Sequence, residues 1–445
     1  MTENDDVLAV AERLWQGGPV GRDPVTGFGS GLAEVADGVA FVPSFANVTA
    51  VRTHDGLVLI DVGSQLLSGQ VHRTLRSWTS QDLHTAVYSH GHVDHVFGVE
   101  RWEADAAQHG TPRPRVVAHE AVPLRFDRYI RTAGYNTVVN RRQFGIDDLE
   151  WPTEYRYPDR TFRDRLDLEV GGVRAELRHA RGETDDHAWA WFGALRVLCT
   201  GDLFIWASPN AGNPQKVQRF ALEWAGALRS MLDLYDSPGG GPEVLLPGHG
   251  YPILGADRIR QALGDTAELL ESLVDQTLAL MNGGARLDEA IHSVAPPAHL
   301  AARPYLQPVY DEPEFVVRGI WRLYGGWWDG NPATLKPAPE HALARELAAL
   351  AGGAGVLADR ALALASGPGG QPGGGGGGGA GAGEGGGTDA DGALRLAGHL
   401  AELAWMAAPG DPAIAEARRT VFSRRAGAAS STMARGVFSW AAREP

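Results

Sequence analysis

Residues 90–95 read His-Gly-His-Val-Asp-His and stand directly behind a short apolar strand, HTAVYS, spanning His84–Ser89. Four side chains able to ligate a cation fall within six positions. With 15 histidines in 445 residues, such a pattern arises by chance on the order of once in a thousand chains. Two imidazoles spaced two apart in an extended loop, His90 and His92, point to one side and grip one cation. Asp94 and His95 then turn toward a second. Nitrogen and carboxylate donors of this kind suit Zn2+ and tolerate iron or manganese. Two metals need more ligands than one loop carries, so the chain must bring other strand ends to the same place.

It has the pieces to do so. From residue 30 to about 255 strands and helices alternate. VTAVRT (Val48–Thr53) and LVLIDVG (Leu57–Gly63) are β-branched runs joined at Asp55-Gly56, a hairpin signal. A helix is expected near Gly69–Ser80, with later strands at Arg115–Glu120, Val173–Ala180, His187–Gly193, Leu195–Gly201 and Glu243–Gly250. Glu183, in RGETDDH, follows the strand ending at Ala180. Asp202, in CTGDLF, follows the strand containing Leu198, and His249, in LPGHG, follows Val244–Leu246. Each sits beside glycine, which lets the backbone approach a metal closely. Ligand sites in mixed α/β sheets form at such strand ends.

With LIDVG (Asp61), SHGHVDH, RGET, TGD and PGHG in this order, the chain resembles the metallo-β-lactamase superfamily. The resemblance implies an αββα sandwich holding two divalent metal ions, with zinc the favoured metal. It assigns His90, His92 and Glu183 to the first ion, and Asp94, His95 and His249 to the second. Asp202 bridges them, Asp61 supports the histidine loop, and Asp94 and Asp202 are the catalytic carboxylates. Most of the superfamily has histidine where this chain has Glu183, and glutamate there resembles the alkyl sulfatase branch. PEFVVRGIWRLYGGWWDGNPATLKP (Pro313–Pro337) is similar to that branch's helical dimerisation domain, and AGYNTVVNRRQFG (Ala133–Gly145) to a stretch covering its active site. The tail Leu394–Arg443, with STMARG, continues the helical domain. The implied activity is cleavage of an anionic sulfate ester by metal-activated hydroxide. The alternatives are a phosphodiester, lactone or thioester at the same site, or a non-catalytic helical scaffold. Arg141, Arg142, Lys216 and Arg219 are the candidate substrate-binding cations, and His119 and His187 are further polar residues at strand boundaries. Glu183→His is expected to retain more activity than Glu183→Gln. Two features depart from the alkyl sulfatase pattern: IWASPNAGNPQKVQRF after Asp202, and a chain that stops at Pro445, where that branch carries a sterol-carrier-like domain.

The expected organisation is an N-terminal extension (1–29), a catalytic domain (30–256) and a helical dimerisation domain (257–445). Helical spacing of Ile259, Leu263, Leu270, Leu273 and Leu280 opens the last of these. Within it, SGPGGQPGGGGGGGAGAGEGGG has almost nothing to bury, so residues 366–388 are expected to form a disordered insertion. The apolar Ile320–Trp328 segment is expected to be covered in a homodimer. Forty basic against 54 acidic residues give a net charge of −14, which argues against nucleic-acid or anionic-membrane partners. Cys199 is the only cysteine, so neither a disulfide framework nor a cysteine zinc module is available. The acidic start MTENDDVLAV does not read as a secretory signal and no apolar run reaches membrane-spanning length. The expectation is a soluble, cytoplasmic enzyme.

Overall fold

The computed structural model describes residues 6–19, 25, 31–367 and 386–444. The chain divides into two compact units, Met1–Asn136 with Glu150–Gly330, and Thr137–Leu149 with Asn331–Pro445.

The first unit opens on helix α1 (Val7–Trp15) and contains two sheets. One runs β1 (Ala33–Ala36), β2 (Val39–Val42), β3 (Val48–Thr53), β4 (Gly56–Ile60), β5 (Leu83–Val87), β6 (Arg115–His119) and β7 (Arg160–Phe162), in that order. It is antiparallel up to β4 and parallel from there on. Parallel neighbours need crossovers, and helices α2 (Ser68–Trp78), α3 (Val99–His109), α4 (Val122–Arg131) and the start of α5 (Ala133–Phe144) lie in them. The other sheet has the order β13-β12-β11-β10-β9-β8. Its members are β8 (Arg165–Val170), β9 (Val173–His179), β10 (Ala188–Phe192), β11 (Val197–Ile205), β12 (Val244–His249) and β13 (Ile253–Leu254).

Period-two alternation decides which side chains face which layer. Val39, Phe41, Val51, Val58 and Ile60 point between the sheets, where they join Leu177, Ala190, Cys199 and Leu246 in one core. Their neighbours Ala40, Val42, Ala50, Leu57 and Leu59 point outward and pack under Leu75, Trp102 and Phe126 of α2, α3 and α4. Helices α6 (Ala221–Leu232) and α7 (Ala256–Asn282) pack against β11 and β12 and extend the same hydrophobic cluster with Trp224, Leu228, Ile259 and Leu263. The result is the expected αββα sandwich.

Two local details differ from the sequence expectation. Thr53 pairs with Gly56, so the hairpin turn is His54–Asp55 rather than Asp55–Gly56. The Thr53 hydroxyl fixes this turn, accepting the Asp55 N–H (3.1 Å) and donating to the Gly56 carbonyl (2.7 Å). Strand β11 does not end before Asp202 but continues to Ile205, with an irregular register against β12 around Gly201.

Strands stop at Leu254, where the sequence pattern turns helical, yet packing continues. Leu270 and Leu273 of α7, and Val316 and Ile320 of α10 (Pro313–Gly325), belong to the same core as the sheets. Between α7 and α10 lie α8 (Leu287–Ser293) and α9 (Ala298–Ala301). The compact first unit accordingly runs to Gly330.

The second unit is helical: α11 (Pro332–Leu335), α12 (Glu340–Ala351), α13 (Ala354–Ser366), α14 (Gly386–Ala407), α15 (Pro412–Ala428) and α16 (Thr432–Arg443), together with the segment from Thr137 to Leu149. Buried alanines, among them Ala358, Ala361, Ala401, Ala404 and Ala417, let these helices approach closely. Arg418 is buried among them. It is held by Glu402 (2.8 Å), Glu444 (3.0 Å) and the Ala441 carbonyl (2.7 Å), with its guanidinium over Trp405. Most of the glycine-rich insertion falls outside the described residues. Among the described residues no single helix is long and apolar enough to cross a membrane.

Candidate metal centre

The loop after β5, the ends of β4, β9 and β12, and the middle of β11 meet at one buried point. His90, His92, Glu183 and Asp202 form one group of potential donors, and Asp94, His95 and His249 a second; within each group the donor atoms lie within 4.8 Å of one another. His90 Nε2 stands 2.8 Å from His92 Nδ1 and 3.4 Å from Glu183 Oε2. His92 Nδ1 stands 3.2 Å from the same oxygen. In the second group His249 Nε2 is 3.4 Å, and His95 Nε2 3.7 Å, from Asp94 Oδ2. Asp202 faces both groups, 3.8 Å from His90 Nε2, 3.5 Å from His95 Nε2 and 3.4 Å from His249 Nε2.

These separations suit a cation. Two donors bound at ~2.1 Å in a tetrahedron lie ~3.4 Å apart, as most of these pairs do. His95 Nε2, Glu183 Oε2 and Asp202 Oδ1 are buried without a hydrogen-bond partner, a costly state unless something else meets their lone pairs. The charges agree. Burial opposes a proton on His95, yet Asp202, Asp61 and Asp94 draw its pKa well above the ordinary value. Burial likewise opposes charge on His249, and Asp202 and Asp94 raise it to about 10. The cleft therefore asks for positive charge, which divalent ions supply while leaving the imidazole lone pairs free to bind. The residues fit a divalent-metal centre.

Neighbouring groups aim these donors. Asp61 holds a left-handed backbone (φ 58°) at the end of β4, an unfavourable conformation for a non-glycine residue that marks functional sites. Its carboxylate accepts the Ser89 N–H, the Ser89 hydroxyl and His95 Nδ1, each at 2.7 Å. That leaves His95 Nε2 facing the centre. Ser89 Oγ also lies 3.0 Å from His90 Nδ1, turning His90 Nε2 inward. Glycine is required within the motifs, as Gly91 and Gly248 show. A Cβ on Gly91 would crowd Arg125 Cδ (2.8 Å) and Asp186 Oδ2 (2.9 Å), and one on Gly248 would overlap Asp202 Oδ1.

The other expected residues are placed as follows. His187 accepts the Asp202 N–H at Nε2 (3.0 Å) and stacks on His90, and burial lowers its pKa to about 4. His119 stacks on His179 (ring centroids 3.7 Å apart) and accepts the Ala121 N–H. Arg219 is buried against Glu183. Burial, then the charge of Arg219, lowers the Lys216 amine to about 8, against the pull of Asp94 and Glu183, which places it within electrostatic reach of the centre. Arg141 and Arg142 lie on the part of α5 that belongs to the second unit, where Arg141 donates to the Leu149 carbonyl and Arg142 stands 3.9 Å over the Trp440 ring.

Four participants escaped the sequence reading: Ser89, Arg125, Asp186 and Asn210. Arg125, buried on α4, donates from Nε to Asp186 Oδ2 (2.6 Å) and also pairs with Asp185; Asp186 in turn accepts the Gly91 N–H (3.1 Å). This ties the histidine loop to the RGETDDH loop. Only the TDDH string hinted at it, since a lone arginine on an amphipathic helix looks like any solvated cation.

Two family models match the chain in succession. The metallo-beta-lactamase superfamily model covers residues 42–249 and the alkyl sulfatase dimerisation model residues 286–367. The chain is an alkyl sulfatase-like member of the metallo-β-lactamase superfamily. This alkyl sulfatase-like chain is 27% identical over 329 residues to a linear primary-alkylsulfatase of a Pseudomonas species, covering 68% of itself and 60% of that protein. To the alkyl/aryl-sulfatase BDS1 of Saccharomyces cerevisiae it is 30% identical over 361 residues, covering 74% of itself and 54% of the relative. Thus it spans roughly half to three-fifths of the length of such relatives. In fold it is similar to the stereoselective inverting sec-alkylsulfatase Pisa1 from Pseudomonas sp., with a TM-score of 0.78 at 22% identity, over 94% of this chain and 66% of that one.

Proposed function

We propose that this protein hydrolyses a small anionic sulfate ester at a dinuclear centre, with zinc as both ions. The observation that carries the proposal is the succession of the two modules, in a chain similar to relatives named alkylsulfatases, together with a donor set that includes Glu183. His90, His92 and Glu183 would hold the first ion, Asp94, His95 and His249 the second, and Asp202, which faces both groups, would join them. Such a pair of ions, when bound, lowers the pKa of water toward neutrality and takes up charge that develops on the ester oxygens. The protein's own groups prepare that event. Asp61 and Ser89 fix the ring orientations of His95 and His90. His187 holds the Asp202 backbone, and Lys216 lends positive charge to the approach of an anion.

A panel of chromogenic sulfate, phosphate and acyl esters, run on the zinc-loaded protein, tests the substrate class. Sulfate ester turnover should exceed that of the other esters by tenfold or more. Preference for a phosphodiester or acyl ester would overturn it.

A homodimer belongs to the same proposal. Ile320 and Trp321 are buried within the chain, whereas Tyr324, Trp327 and Trp328 remain exposed, Trp327 by 71%. All five lie within the matched dimerisation model, and so large an aromatic surface favours a partner. Light scattering at micromolar concentration should give twice the 47.5 kDa chain mass; a single-chain mass would exclude the dimer.

A further inference from the structure

Glu183 brings a third carboxylate to a centre that already has Asp94 and Asp202. A buried, unpaired carboxylate is costly, and added ligand charge weakens a metal's hold on its water as an acid. The structure answers with a buried cation. Arg219 Nη1 lies 2.8 Å from Glu183 Oε1 and donates to the Asn210 carbonyl at 2.7 Å. Asn210 Nδ2 reaches the same Glu183 oxygen at 2.9 Å. Glu183, Asn210 and Arg219 are each less than 5% exposed. The two oxygens of Glu183 are thereby divided. Oε1 takes the Asn210 amide and the ion-pair contact with Arg219, while Oε2, without a hydrogen-bond partner, faces His90 and His92.

From this division, and resting on the metal-centre proposal, we infer that Arg219 is a positioning residue dedicated to Glu183. It holds the carboxylate to one-oxygen ligation and masks its charge, so that Glu183 acts on the first ion much as a neutral imidazole would. Arg219 is then not a substrate cation. A corollary follows for any neutral residue at 183: the guanidinium loses its anion and stands bare beside the metal, opposing the ion it formerly helped to seat.

The test is zinc affinity of the first site, measured on the full chain by dialysis against a competing chelator. Glu183→His and Glu183→Gln are each compared with and without Arg219→Gln, and Arg219→Gln is also placed in the wild-type chain. In both neutral backgrounds, removing Arg219 should raise zinc affinity tenfold or more. In the wild-type chain, where the cation is paired, the gain should stay below threefold. An equal gain in all three would mean simple cation repulsion, and no gain or a loss in the neutral backgrounds would mean an unrelated structural role; either result overturns the inference. Two neutral backgrounds keep the comparison available if one variant does not fold. Should the wild-type chain itself hold no zinc, the metal-centre proposal fails; if it holds zinc without this coupling, only the role of Arg219 fails.

Discussion

Asp202→Asn is expected to lower turnover by about a thousandfold, about 4 kcal/mol, while the protein stays folded. Asp202 is the one carboxylate that faces both donor groups, with imidazole nitrogens at 3.4, 3.5 and 3.8 Å. Burial opposes its charge, but His249 and His95 hold its pKa well below the carboxylate range, so it is anionic at neutral pH. Asparagine keeps the shape and removes the charge, so the proposed pair of ions would lose its shared anionic donor. No apolar core contact changes, and far-UV circular dichroism should be unaltered. Steady-state kinetics with a sulfate ester, beside zinc content, gives the comparison. Turnover within tenfold of wild type, with both ions retained, would show that Asp202 does not join the two ions.

Arg125→Met should cost about 3–5 kcal/mol of stability, the usual penalty for removing one partner of a buried ion pair. Both Arg125 and Asp186 are buried, and their link also fixes the Gly91 N–H. The pH dependence has a definite sign. Burial raises the Asp186 pKa, but Arg125 lowers it further, so the folded value lies below the ordinary one. In the wild type that stabilisation is present above the unfolded carboxylate pKa of about 3.9 and is lost as pH falls through the folded value. Without Arg125 the raising influence of burial is opposed only by Thr184 and His92, Asp186 binds a proton more readily, and the variant's deficit should shrink between about pH 8 and about pH 5. Urea unfolding at both pH values measures this. A deficit under about 1 kcal/mol, equal at both, would show that the pair does not secure the loop.

What the sequence made legible was whatever is written as local pattern. The strands around Val48 and Arg115 carry β-branched runs, that around Val173 alternates apolar with charged residues, and the helices from Glu340 to Arg443 carry helical spacing, so their places could be read directly. The donors came from short motifs beside glycine, because a backbone that must approach a metal leaves that mark. The supports did not. Arg125, Asn210 and Ser89 act through contacts across long stretches of chain, and singly each resembles a surface or turn residue. Arg219 reads from the sequence as a substrate cation, and its 2.8 Å approach to Glu183, which supports a positioning role instead, is a contact no local pattern reveals. It also alters the expectation for position 183. Histidine is the mildest choice by family resemblance, yet the geometry gives it a bare buried guanidinium as neighbour. The hairpin shift at His54–Asp55 has a similar origin, since a single threonine hydroxyl outweighed the Asp-Gly signal.

Elemental analysis of the purified chain, after reconstitution with zinc and removal of loosely held ions, tests the central claim most directly. Two donor groups joined by Asp202 require about two ions per chain. Less than half an equivalent, with zinc, iron and manganese each offered in turn, would contradict a dinuclear centre.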